Sequence, residues 1–261
     1  AGMPMYNEEE TIGTVVTMAL RHVDEVICID DGSSDSSARI AEACGATVIR
    51  HRGNQGYGAA LKTLFKTMRS NDADVLVVLD SDGQHDTSDI PKLIQPILDE
   101  EADFTIGSRF IEGGEGNDMP AYRRLGIKVI TAASNLTSDL GIKDTQSGFR
   151  AFSRKAIDRL RFDADGMELS LEMLEDAKEK QLSIQEVPTI IRYDVPKGSN
   201  FTAISHGFTV LSWALLSLSQ KKPLLTLGIP GLGLLATGAA MGMNTATGFT
   251  TQIDTVLGEG L

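Results

Sequence analysis

A chain of 261 residues that is 41% hydrophobic is long enough to bury a full core, which excludes a disordered segment and leaves one large domain with an appendage. With 24 Lys and Arg against 36 Asp and Glu, a net charge of -12, it has no basic stripe to neutralise phosphates, and a nucleic-acid surface is excluded. The 2 cysteines, Cys28 in an apolar run and Cys44 near a helix end, have neither ligand spacing nor a CxxC motif and read as buried thiols in a reducing compartment.

The chain opens at Ala1-Gly2-Met3-Pro4 without a secretory signal, and its first strand reads as a stub. Asn7-Glu8-Glu9-Glu10 has the pattern of a helix start, a capping side chain followed by acids where the helix dipole favours them. Ile12, Val15, Val16, Ala19 and Leu20 then fall at helical spacing. The strand Val26-Ile27-Cys28-Ile29 runs into Asp30-Asp31-Gly32-Ser33-Ser34-Asp35, a polar turn leading to a helix that ends at Gly45. A third strand, Thr47 to Arg50, precedes the glycine-rich Gly53 to Gly58 and a helix carrying Leu61, Leu64, Phe65 and Met68.

The stretch around which the rest is organised follows. Val75-Leu76-Val77-Val78-Leu79 reads as a strand buried on both faces, and it delivers Asp80-Ser81-Asp82-Gly83-Gln84-His85 to a sheet edge. Asp80 and Asp82, one residue apart where a strand gives way to a turn, can converge on one hard divalent cation, Mg²⁺ or Mn²⁺, with Gln84 as a further oxygen ligand and a substrate diphosphate completing the shell. Acidic residues after a strand are also ordinary turn formers, so the pair alone leaves both readings open. A helix opened by Ser88 and Pro91 comes next, and the alternation of strand and helix with short links predicts right-handed crossovers and a mostly parallel, Rossmann-like sheet.

Beyond Asp103 the pattern loosens. Phe104 to Arg109 reads as a short strand, Gly113, Gly114 and Gly116 as a loop able to close over a ligand, and 122–140 as a helix. Thr145 to Phe152 reads as a strand, Glu168 to Lys180 as a helix and Ser183 to Tyr193 as β-rich. Phe201, Ile204, Phe208, Leu211, Leu215 and Leu218 then recur by threes and fours opposite Ser205, Ser212 and Ser219, an amphipathic helix over 201–222 suited with Trp213 to a membrane interface. From Pro223 to Met243 there is no charge, and at about 1.5 Å per residue that length spans the roughly 30 Å hydrocarbon core as a transmembrane helix. Lys221 and Lys222 at its start favour a cytoplasmic catalytic domain, Gly238 and Gly242 offer a small face for self-association, and the polar residues after Met243 suggest a membrane region, 223–261, that lacks a partner helix.

Five motifs in order, Pro4 to Glu9, Asp30 to Asp35, Asp80 to His85, Gly107-Ser108-Arg109 and Gln146-Ser147-Gly148-Phe149-Arg150, closely resemble family 2 glycosyltransferases. Within them the chain resembles the dolichyl-phosphate mannose synthase and polyprenyl-phosphate glycosyltransferase group over about residues 3 to 200. The resemblance implies a GT-A catalytic domain over 1–200, a nucleotide-sugar donor of the GDP-mannose or UDP-glucose type, and a membrane polyprenyl or dolichyl phosphate as acceptor. It implies that Pro4, Tyr6, Asn7, Glu8, Asp30, Asp31, Asp80 and Ser81 bind the nucleotide and that Asp80, Asp82 and Gln84 hold the metal. It also implies that Arg109, with Arg123 or Arg124, grips phosphate, a role suited to a forked guanidinium, with Lys197 and Ser199 at the acceptor phosphate.

The chain departs from that group at Lys197-Gly198-Ser199-Asn200, where the group often shows Gly-x-Ser-Lys, so the cation stands before the glycine. Asp144 and Glu168 sit where some relatives place a base, although a surface or supporting role fits them better. A lipid phosphate is already largely anionic near neutral pH, its second pKa being about 6, and needs no such base. The alternatives are an enzyme of this fold acting on a soluble or polysaccharide acceptor, a nucleotidyltransferase, and an inactive membrane protein that only binds nucleotide. The base and the sugar of the donor stay open.

Overall fold

Seven short strands carry the first of two units, Ala1–Ala214, in the computed structural model; the second unit is Leu215–Leu261. The structure describes residues 1–114, 124, 126–128, 131, 135, 141–166, 169–192, 212, 216, 219 and 223–258. The strands are β1 (Gly2–Met5), β2 (Ile27–Asp30), β3 (Thr47–Arg50), β4 (Val75–Val78), β5 (Phe104–Ser108), β6 (Arg150–Ser153) and β7 (Ile184–Pro188), in the order β3-β2-β1-β4-β6-β5-β7. From β3 to β4 every pairing is parallel, β6 runs antiparallel between β4 and β5, and β5 and β7 are parallel again. The expected mostly parallel sheet is present, with one reversed strand inserted.

The apolar runs explain the layering. Successive side chains of a strand point to opposite faces. In β4, Leu76 and Val78 enter one buried cluster while Val77 and the adjoining Leu79 enter the other, and in β2 Ile27 and Ile29 part from Cys28 in the same way. One cluster is completed by α3 (Tyr57–Arg69), α5 (Arg154–Arg159) and α6 (Leu169–Glu179); the other by α1 (Ile12–Ala19), α2 (Ser37–Ala43) and α4 (Ile90–Leu98). Phe65 anchors the first cluster, its ring edge-on to Phe152 and to Phe162 with centroids 5.0 Å away in each pair.

Several local expectations are corrected. The first strand is no stub: β1 is as long as β2, fully buried, and pairs with β2 on one side and β4 on the other. Helix α1 starts at Ile12 behind Thr11, not at Asn7, because Asn7 adopts the left-handed φ of 57° that asparagine tolerates and the acidic run docks on the neighbouring turn instead. There the Asn7 and Glu8 backbone amides donate to Ser33 Oγ (2.9 Å) and Ser37 Oγ (2.7 Å), and Ser36 N donates to Glu9 Oε2 (3.0 Å). Helix α4 is led by a 3₁₀ turn, Thr87–Asp89, whose cap is Asp86, with its carboxylate accepting from Ser88 N. The expected strand from Thr145 is shorter: β6 begins at Arg150, with Phe149 O just before it accepting from Gly107 N of β5 (2.8 Å), and the short helix α5 that follows is capped by Ser153.

The helix expected over 122–140 and the interfacial helix over 201–222 fall largely outside the described residues; Arg124, Gly126, Ile127, Lys128, Thr131 and Asn135 in the first, and Ser212, Leu216 and Ser219 in the second, are helical. In the second unit a π-helical turn, Leu224–Gly228, leads into α7 (Ile229–Gly258), so the helix runs well past Met243. Pro230 has no N–H to continue the α-helical ladder, which accounts for the widened turn before it. Thr226–Phe249 has a mean hydropathy of 1.3 with none of it buried, so it is long and apolar enough to cross a membrane. Its described threonines Thr237 and Thr245 return their hydroxyls to Gly233 O and Met241 O within the helix.

Candidate active site

Three neighbouring parallel strands end at one edge of the sheet, and each contributes acidic or polar residues where it ends. Strand β1 leads into Tyr6, Asn7 and Glu8, β2 into Asp30 and Asp31, and β4 through Leu79 into Asp80, Ser81 and Asp82. The carboxyl edge of such a sheet is where ligands bind in open α/β folds. Side-chain bonds tie the three ends together: Ser81 Oγ donates to Pro4 O (2.9 Å) and Thr11 Oγ1 donates to Ser81 O (2.8 Å), so the β4 turn is fastened both to β1 and to the start of α1.

Asp82 is buried, and its Oδ1 accepts from the Gln84 amide at 2.9 Å. Asp80 is more open. Its backbone N–H donates to His85 Nδ1 (3.1 Å), which places the proton of the imidazole on Nε2. His85 is stacked on Phe149 with centroids 5.1 Å apart, and burial pushes its pKa down to about 4, with Arg109 adding to the effect, so the ring is neutral. Tyr57, at the start of α3, directs its hydroxyl to Asp80 Oδ1 at 3.5 Å.

Glu8 registers the field at this edge. Burial, then the negative charges of Asp82 and Asp80, push its carboxyl up to about 7, against a hydrogen bond from Thr11 that works the other way. The charges of Asp80 and Asp82 are thus felt at Glu8, on top of the cost of its burial. Among the described residues no three Asp, Glu, His or Cys converge in ligand geometry, so the chain offers the carboxylates of Asp80 and Asp82 and leaves further positions to other oxygens. That donor set suits Mg²⁺ or Mn²⁺, which are commonly held by one or two carboxylates together with substrate phosphates.

Asp30 and Asp31 organise the adjacent loops. Asp30 is fully buried, accepting from Ser33 N (2.8 Å) and paired with Arg50 Nε (3.0 Å). Asp31 accepts from His51 Nδ1 (2.7 Å), Gln55 N (3.0 Å) and Gly56 N (2.8 Å), which gathers the 51–56 loop at the entrance to α3. Gly32, at φ +79°, fits because a Cβ there would lie 2.6 Å from the Gly53 backbone. Tyr6 is 39% exposed and presents its ring at the same edge.

Arg109 is not at an open surface. Its guanidinium is buried in a bidentate pair with Asp144, Nε to Oδ2 and Nη2 to Oδ1 both 2.7 Å, and its backbone N–H also donates to Oδ2 (3.1 Å). The Asp144 amide is in turn held by Glu186 of β7 (2.9 Å). The geometry makes Asp144 the partner of Arg109, with its proton-accepting oxygens already engaged. Arg124 is exposed on its helical turn, while Arg123, Glu168, Lys197 and Ser199 fall outside the described residues.

Sequence reasoning missed Tyr57 and the part played by Arg150. Arg150 is buried, with Nε donating to Ser147 O (2.8 Å) and Nη2 to Thr145 O (2.9 Å), and its pKa is lowered to about 10, chiefly by burial. A tyrosine at a helix start carries no site signal in the sequence. Arg150 did stand in a recognised motif, but only the fold shows which carbonyls it holds.

Comparison with known proteins gives the family and the fold. The profile of Glycosyl transferase family 2 matches residues 1–161. The chain is 33% identical over 245 residues, 85% of this chain and 96% of the other, to the UDP-N-acetylglucosamine--dolichyl-phosphate N-acetylglucosaminyltransferase of Methanococcus voltae. It is 32% identical over 196 residues, 71% of this chain and 54% of the other, to the dolichol-phosphate mannosyltransferase of Pyrococcus furiosus. Among solved structures, glucosyl-3-phosphoglycerate synthase of Mycobacterium tuberculosis, in complex with Mn²⁺, uridine diphosphate and phosphoglyceric acid, shares the fold with a TM-score of 0.66 at 24% identity, covering 85% of this chain and 77% of that one.

Proposed function

The chain belongs to glycosyl transferase family 2, and from that premise we propose that it transfers a hexose from a nucleotide sugar to the phosphate of a membrane polyprenol, inverting the anomeric centre. One observation carries this reading: Asp80 and Asp82 stand one residue apart where the chain leaves β4 at the carboxyl edge of the sheet, beside a Glu8 carboxyl that burial, and then their charges, push up to about 7, a site that suits a cation and the diphosphate it would bring. The names of two relatives, both transferring to a dolichyl phosphate, point to the same acceptor class.

In this reading Asp80, Asp82 and Gln84 hold Mg²⁺ or Mn²⁺, which supplies charge neutralisation of the departing diphosphate. Tyr6 lies against the base, while Pro4, Asn7, Glu8 and Ser81, with Asp30 and Asp31 behind them, shape the nucleoside pocket. An oxygen of the lipid phosphate attacks the anomeric carbon, the bond from that carbon to the diphosphate oxygen breaks, and the nucleoside diphosphate leaves with the electron pair. The attacking oxygen is already anionic, so the chain needs only to position it. Arg123, Arg124, Lys197 and Ser199 are assigned to the acceptor phosphate. Arg109 is assigned to the phosphate as well, and its pair with Asp144 holds it at the end of β5.

The exposed apolar helix α7 favours a membrane location, with the catalytic unit on the cytoplasmic face and Gly238 and Gly242 as a face for self-association. The test offers the purified full chain labelled GDP-sugars and UDP-sugars, with polyprenyl phosphate, free polyprenol, 3-phosphoglycerate and soluble sugars as separate acceptors. Label should pass to the polyprenyl phosphate alone and be lost on chelation. Comparable transfer to free polyprenol or to a soluble acceptor would move the assignment to a different acceptor class.

A further inference from the structure

Asp80 is confined from two sides. On one, the Tyr57 hydroxyl lies 3.5 Å from Oδ1. On the other is Gly148, where an added Cβ would lie 2.7 Å from Asp80 Oδ2, 3.0 Å from Oδ1 and 3.2 Å from Cγ, its three nearest neighbours. Gly148 is not among the glycines with positive φ, so its backbone would accept alanine, and the nearest obstacle to a side chain there is the Asp80 carboxylate. The segment around it is fixed from beneath by Arg150, whose guanidinium holds the carbonyls of Thr145 and Ser147, while Phe149 stacks on the His85 ring that receives the Asp80 amide.

We propose that Tyr57 and Gly148 are positioning residues that seat the Asp80 carboxylate for the cation, with Arg150 holding the 145–149 segment in place as the back of that seat. The inference rests on the reading of Asp80 and Asp82 as cation ligands. A methyl group at position 148 leaves the fold its core and turns the carboxylate away, because the nearest obstructing atoms are the far end of the Asp80 side chain. Removing the Tyr57 hydroxyl takes away the contact that the same carboxylate makes on the opposite side.

The experiment titrates Mn²⁺ into the full chain in detergent, with and without uridine diphosphate, reading free Mn²⁺ by electron paramagnetic resonance and following thermal melting in parallel. Gly148→Ala should weaken Mn²⁺ binding roughly 10- to 100-fold, the range for supports of metal ligands, and Tyr57→Phe should weaken it by about the lower figure. Binding of uridine diphosphate without Mn²⁺ should be unchanged in both. Adding Gly148→Ala to an Asp80→Ala chain should leave melting unaltered, since the collision is then gone. If Gly148→Ala alone fails to fold, the double variant should recover, and Tyr57→Phe still reports on the seat. Wild-type Mn²⁺ affinity in both single variants, or a double variant as damaged as Gly148→Ala, overturns the proposal. A wild-type chain that takes up no Mn²⁺ under either condition overturns the cation reading itself, and the seat with it.

Discussion

Asp82 places a negative charge in a buried position beside Glu8 and Asp80, where its Oδ1 accepts from the Gln84 backbone N–H. Asp82→Asn keeps that acceptor and removes the charge. Turnover should fall by about 100- to 1000-fold, as when one preorganised electrostatic group is lost, while the melting temperature stays at or above that of the wild type. Glu8 gives a pH signature at the same place. Its carboxyl is raised from 4.5 to about 7, so the folded chain holds this proton more tightly than the unfolded one; the stability this contributes is full below 4.5 and lost as pH rises through about 7. The melting temperature of Glu8→Gln minus that of the wild type should therefore be larger at pH 8 than at pH 5, and calorimetry at both would show it. The place of Asp80 and Asp82 at the sheet edge was legible in the sequence because a doubly buried strand can only end by handing its next residues to that edge. Tyr57 was not, since its significance comes from a carboxylate 23 residues away.

At the scale of elements, β5 and the 144–149 segment are joined by the Arg109 and Asp144 pair, both side chains nearly or wholly without solvent. Asp144→Ala leaves the guanidinium buried without its carboxylate, and denaturant unfolding should show a loss of about 3–5 kcal/mol. A loss under 1 kcal/mol would mean that water reaches Arg109. This pair also shows what the sequence leaves unread. Arg109 in a Gly-Ser-Arg motif reads as a phosphate grip, and only the reversed strand β6 brings Asp144 to it. The parallel half of the sheet was readable from its uninterrupted apolar runs. Thr145 to Phe149 looked like part of a strand, but two of its carbonyls go to Arg150. Asn7 looked like a helix cap, yet its Oδ1 accepts from Ser34 N (2.9 Å) across the loop.

For the whole molecule, the division into Ala1–Ala214 and Leu215–Leu261 separates a buried α/β core from a helix with Leu224, Leu232, Leu234, Leu235 and Met241 exposed. Exposed apolar surface on this scale marks an interaction face, and its length suits a bilayer. The full chain should partition into detergent micelles, whereas a chain ending at Lys222 should stay in water and still bind nucleotide. A full chain that is monodisperse without detergent would contradict the membrane assignment. The charge-free run from Pro223 to Met243 made the apolar helix legible, but the extent of α7 to Gly258 was not, because its last turns are polar.

The central claim is that the edge formed by Asp80 and Asp82 binds a cation and a nucleoside diphosphate as one unit. Calorimetric titration of uridine and guanosine diphosphates into the full chain, with and without Mn²⁺, tests it most directly. One of the two nucleotides should bind at least 10-fold more tightly with Mn²⁺ present, a coupling of about 1.4 kcal/mol, and this gain should vanish in Asp82→Asn. Equal affinity with and without Mn²⁺ for both nucleotides, or a gain that survives Asp82→Asn, would contradict it.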